Sequence, residues 1–89
     1  MIKKIFTIKH ALGLHARASM QLVDCVSRYS STVIINCGNK SCDAKNILDV
    51  MTLGATRGMV VTAKVEGDDE EEAITALEGF FVKGEDEPF

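Results

Sequence analysis

The amino-acid sequence predicts an α+β domain of four short strands and three helices, ordered β-α-β-β-α-β-α, with the helices covering one side of a sheet. Three observations carry that expectation. Stretches rich in β-branched residues with a two-residue period stand at 2–9, 32–37 and 59–66. Apolar residues three or four apart mark 16–29 and the stretch after the acidic run at 68–72. A chain of 89 residues leaves room for one core and no more.

Each element has its own signal. In IKKIFTIK, Ile2, Phe6 and Ile8 share one face by alternation. Gly13 marks a turn over 11–14. Ala16, Met20, Val23, Val26 and Tyr29 then form the apolar stripe of an amphipathic helix that stops at Ser30-Ser31. TVIINC places Val33, Ile35 and Cys37 on one face, and Gly38-Asn39 turns the chain into a hairpin partner over 40–43. Asn46 is a good N-cap and Gly54 a good stop, which brackets a short helix over 47–53. Residues 56–58 form a loop that, with Gly54 and Gly58, turns the chain into MVVTAKVE. There Val61, Ala63 and Val65 face one way. Acids at 68–72 complement the positive end of a last helix, whose buried face is Ala73, Ile74, Leu77, Phe80 and Phe81. Residues 1–83 make the domain, and 84–89 read as a polar tail holding the only proline, Pro88.

Composition excludes several classes. Apolar residues make up 46% and charged residues 26%, ordinary for a globular chain and unlike a disordered or collagen-like one. No apolar run approaches the roughly 20 residues that span a bilayer, and the first residues lack the apolar core of a secretory signal. The expected location is therefore the cytoplasm, with no membrane partner. Cys25, Cys37 and Cys42 contain no C-x-x-C spacing and read as reduced, small apolar residues, and no metal site is expected. The net charge of −3 hides a division. Residues 1–65 carry nine basic against three acidic side chains, and residues 66–89 carry one against ten. The basic body suits an acidic partner or a phosphate, but with five Phe and Tyr and no Trp it gives no case for nucleic acid.

The segment Gly13-Leu14-His15-Ala16-Arg17 stands out for its chemistry. A turn ends in His15 and a helix begins at once. The first amides of a helix lack internal partners and carry partial positive charge, so they form a ready anion site. The same positive end disfavours a second positive charge, which suits a neutral, nucleophilic imidazole. Arg17 offers a planar fork to phosphate oxygens. From spacing alone, a capping or merely exposed histidine beside an exposed arginine is the more ordinary account of this segment. His10, at the end of the first strand, reads as a surface or turn histidine.

GLHAR, together with KNILDVMTLG, resembles the HPr phosphocarrier family of the bacterial phosphoenolpyruvate-dependent phosphotransferase system over residues 2–82. The resemblance implies an open-faced β-sandwich, a four-stranded antiparallel sheet covered by three helices. It implies that His15 takes a phosphoryl group on Nδ1 from phosphorylated enzyme I and passes it to a IIA domain. Such a protein is a carrier and not an enzyme, is usually a monomer and needs no cofactor. Arg17 would stabilise the phosphoryl group, and the amides of Ala16 and Arg17 would hold it. The partner surface implied is Ala16, Arg17, Met20, Gln21 and Asp24 on the first helix, with Ile47, Leu48 and Met51 on the second. A seven-residue helix cannot bury Ile47, Leu48, Val50, Met51 and Leu53 on one stripe, so some of these must be exposed.

The chain departs from the family pattern in four places. Ala18 replaces the usual proline and restores an N–H, a further phosphoryl donor. Asn46 stands where some members carry a regulatory serine, and it cannot be phosphorylated. Leu12 replaces a small polar residue before His15. The tail runs past the usual terminus. Sugar uptake and a nitrogen-type regulatory branch both fit the family. A non-catalytic HPr-like binding module is the alternative, against which His15 and Arg17 count. A small metal-binding chaperone would need a C-x-x-C loop that is missing.

Overall fold

The computed structural model describes residues 1–83. Four strands, β1 (Ile2–Thr7), β2 (Thr32–Cys37), β3 (Lys40–Asp43) and β4 (Val60–Glu66), alternate with helices α1 (Ala16–Ser27), α2 (Ile47–Thr52) and α3 (Glu70–Lys83). The sheet order is β1-β4-β2-β3 and every pairing is antiparallel. This is the expected order and architecture. β4 lies between β1 and β2, with Phe6 opposite Val61, and Ile35 opposite both Ala63 and Cys42.

Strand alternation sends Phe6, Val33, Ile35, Cys37, Cys42, Val61, Ala63 and Val65 to the covered face. Leu22 and Val26 of α1, Val50 of α2, and Ala73, Ile74, Leu77 and Phe81 of α3 close over them. The Phe6 and Phe81 rings stack at 4.7 Å, fixing the far end of α3 against β1. Lys4 pairs with Glu78 across the same seam. The opposite face of the sheet is open, and Ile5 and Val60 lie exposed on it.

Four details differ from the expectation. The strand predicted over 2–9 ends at Thr7, although Ile8 stays buried and keeps ladder-like bonds, donating to Met59 and accepting from Gly58. The first helix stops at Ser27, two residues early. Its buried stripe is Ala18, Ser19, Leu22 and Val26, while Ala16 and Met20 face solvent and Val23 and Tyr29 are only half-buried. Two apolar series three or four apart coexist in α1, and the packing of Leu14 and the sheet selects the one that turns inward. Phe80 is half-buried and stacks on His10. Finally, α3 begins at Glu70, two residues into the acidic run rather than at its start. Asp69 instead reaches across to accept hydrogen bonds from the Ser30 and Ser31 amides and the Ser31 hydroxyl. These bonds hold the Asp69 carboxyl down at about 2. The tail at 84–89 and Pro88 lie outside the described residues.

Candidate functional site

His15 is the N-cap of α1. Its backbone is extended (φ −75°, ψ −175°), and its carbonyl accepts the first intrahelical bond from Ser19 at 2.8 Å. The side chain turns back over the helix start, and Nδ1 accepts a hydrogen bond from the Arg17 amide at 3.2 Å. Accepting that bond uses a lone pair on Nδ1 and aims this nitrogen at the helix amides. A group added to Nδ1 would meet the same amides. Ala16, Arg17 and Ala18 occupy the first turn, where backbone N–H groups have no intrahelical acceptor.

The approach to His15 is pinned on both sides. Gly13 adopts φ +69° and donates to the His10 carbonyl at 2.9 Å. A Cβ at Gly13 would come within 2.5 Å of the Ala55 carbonyl oxygen and 2.7 Å of the Thr56 Cα, so only glycine fits this contact. The Leu14 amide donates to Ala55 at 3.0 Å, and the buried leucine side chain anchors the turn in the core. The Ser19 hydroxyl donates to the Leu14 carbonyl at 2.9 Å, entirely out of solvent. Ser19 supports the site and was not singled out from sequence. Its signal would have been a hydroxyl one turn past the capping histidine, on a stripe otherwise apolar.

His10 opens the turn, its carbonyl accepting from the Gly13 amide, but it is not a surface residue. It is 2% exposed and its ring stacks on Phe80 at 4.6 Å. The reason is tertiary, because α3 brings Phe80 over the end of β1. Leu12, by contrast, points outward and is 73% exposed.

The implied partner surface is brought together in two parts. Ala16, Arg17, Met20 and Gln21 line one shallow, largely apolar groove on α1. Met20 is 60% exposed, and Asp24, further along, pairs with Arg28 at 2.8 Å. On α2, which packs against α1, Leu48 is 71% and Met51 42% exposed and Ile47 is half-buried, while Val50 and Leu53 face the core. The short helix does leave apolar side chains in solvent. Asn46 caps it as expected, its side chain accepting from the Asp49 amide at 3.2 Å.

The three cysteines are free thiols. Burial, reinforced by the Asp49 carboxylate, pushes the Cys42 thiol up to about 11, and burial raises Cys25 as well. Among the described residues no cluster of His, Cys, Asp and Glu could hold a metal ion, and no helix is long and apolar enough to cross a membrane.

Fold and site define the class: a small open-faced α+β domain whose histidine caps the first helix through Nδ1. Comparison with known proteins gives that class its family. The sequence profile described as the PTS HPr component phosphorylation site matches residues 2–83. A curated relative from Xylella fastidiosa (strain Temecula1), named phosphocarrier protein HPr, is 36% identical over 81 residues, 91% of each chain. One of the same name from Cupriavidus necator is 42% identical over 77 residues, 86% of each. Among solved structures, HPr-C-His from Thermoanaerobacter tengcongensis superimposes with a TM-score of 0.91 at 40% identity, covering 94% of both chains. The chain belongs to the HPr family of the phosphotransferase system.

Proposed function

We propose that the protein is a phosphohistidine carrier, accepting a phosphoryl group on His15 Nδ1 from phosphorylated enzyme I and handing it to a IIA domain. The observation that carries this reading is the hydrogen bond from the Arg17 amide to Nδ1, which puts a lone pair where the helix start stabilises added negative charge. In the transfer, the N–P bond forms at Nδ1 as the donor's bond to phosphorus breaks, and the donor's leaving atom keeps that electron pair. The reverse exchange delivers the group to the acceptor. The amides of Ala16, Arg17 and Ala18 receive the phosphoryl oxygens. Each such bond to a charged oxygen exceeds the single neutral bond given up at Nδ1. The Arg17 guanidinium balances the charge and helps release the group.

The exposed Met20, Leu48 and Met51, with Ala16, Gln21, Asp24 and Ile47, make the docking surface for both partners. The protein acts in the cytoplasm as a monomer, in sugar uptake or a nitrogen-type regulatory branch. With Asn46 in place of a serine, it escapes kinase control at that position.

Incubation with enzyme I and phosphoenolpyruvate tests the reading. We expect a mass increment of one phosphoryl group, labile to acid and stable to base, mapping to His15. It should be absent in His15→Ala. No adduct on His15 would favour a non-catalytic binding module, and an adduct that persists in His15→Ala would remove the site assignment.

A further inference from the structure

The sheet face away from the helices takes no part in the phosphoryl site. Strand register fixes which side chains share it. Lys3 on β1, Lys64 on β4, Ile34 on β2 and Asp43 on β3 stand in one row, each directly opposite the next. The neighbouring row is Ile5, Thr62, Asn36 and Ser41. Ile5 is 69% exposed, and Val60, diagonal to it, is 55% exposed. Ile34 is half-buried.

The fold by itself does not account for the charges here. Lys3 and Lys64 are directly opposed, an arrangement of like charges that weakens a strand pair. Neither is in an ion pair among the described residues. The row is cationic at the β1 edge and anionic at the β3 edge. Asp43 accepts from the Lys45 amide at 2.9 Å through one oxygen and keeps the other for a cation. A uniformly acidic partner would set its charge against Asp43, and against Glu66 further along β4.

This pattern is complementary to itself. Half a turn about an axis parallel to the strands, between β4 and β2, lays β1 of each copy over β3 of the other and β4 over β2. We propose that a second copy of this chain docks here, sheet face to sheet face. Lys3 meets Asp43 of the other copy, and the Lys64 stem lies on Ile34. Thr62 meets Asn36, a donor and acceptor pair, and Ile5 meets the small Ser41. Each contact occurs twice. Four strands about 4.8 Å apart, rising about 3.3 Å per residue, give a face on the order of 400 Å² per copy. A stable interface buries about 800 Å² on each partner, so this dimer is weak and the monomer prevails at low concentration. His15 and the exposed side chains of α1 and α2 lie on the helical side of the sheet and stay accessible in both forms.

Sedimentation velocity on the full chain, from about 10 µM to about 1 mM, reads the association. Amide NMR shifts over the same range read the surface. We expect reversible dimerisation at the upper end, weakened about threefold or more by high salt, with shifts on β1, β2 and β4 and none on α1 or α2. Lys3→Glu and Asp43→Lys should each raise Kd about tenfold or more by opposing like charges. An equimolar mixture of the two variants should dimerise about as well as the parent, because both contacts then join opposite signs. Should Asp43→Lys melt early, through loss of the acceptor for the Lys45 amide, Lys3→Glu and the parent's shifts decide the matter. A parent that stays monomeric throughout would overturn the proposal and leave the face to solvent or a different partner. Shifts confined to the helices, or a mixture no better than its separate folded variants, would overturn it too. None of these readouts involves His15, so the carrier reading is tested apart from them.

Discussion

Gly13→Ala should be the most damaging conservative change in the turn that leads to His15. Two costs combine. Alanine at φ +69° takes a left-handed conformation that is unfavourable for an L-residue by about 1–2 kcal/mol. Its Cβ would lie 2.5 Å from the Ala55 oxygen and 2.7 Å from the Thr56 Cα. Both are backbone atoms and cannot rotate away, so the two loops must part, at about 1–3 kcal/mol. The expected loss is about 2–5 kcal/mol, which for a domain of this size lowers Tm by roughly 10–30 °C. Gly38 provides the control. It has φ +61°, nearly the same torsion, but nothing lies within 4 Å of an added Cβ. Gly38→Ala should show the torsional cost alone. Urea denaturation of the three proteins, followed by circular dichroism, measures the difference. Amide exchange at Leu14, whose N–H is bonded to Ala55, should accelerate in Gly13→Ala only. Equal destabilisation by the two substitutions would refute the steric argument.

Asp69 holds its carboxyl at about 2 against an ordinary 3.8, so its contribution is fully present above pH 4 and is lost as pH falls toward 2. Asp69→Asn should therefore flatten the acid limb of a stability-against-pH curve, and an unchanged limb would show that its bonds to Ser30 and Ser31 do not form in solution. Leu22→Ala, at a fully buried position between α1 and the sheet, should cost about 2–5 kcal/mol by chemical denaturation. Ala18→Pro removes a first-turn amide without breaking an intrahelical bond. The phosphohistidine should then hydrolyse about threefold faster or more, with Tm almost unmoved. An unchanged lifetime would exclude the Ala18 amide as a phosphoryl donor.

Much of the site was legible before the fold, because it is local. A histidine between a glycine turn and an amphipathic segment is an N-cap by position. Asn46 and Gly54 likewise bracket α2 by residue type. The reading failed where two local solutions were equally good. The α1 sequence offers Ala16, Met20 and Val23 as well as Ala18, Leu22 and Val26 three or four residues apart, and periodicity cannot say which series turns inward. That choice matters to function, since it moves Met20 from the core to the groove beside Arg17. His10 was misplaced for the same kind of reason, because the Phe80 ring that covers it lies 70 residues further along the chain.

The chain alone determined the order of elements, the ends of most of them and the histidine that opens α1. Each of these depends on backbone preference and side-chain period within about one helical turn. Only the tertiary structure decided which α1 stripe is buried, that His10 is interior, that Ser19 braces Leu14, and that the loops at 11–14 and 55–58 pack against each other. Those are contacts between segments distant in sequence. They arise when the sheet brings the segments to within van der Waals distance, and no local signal encodes them.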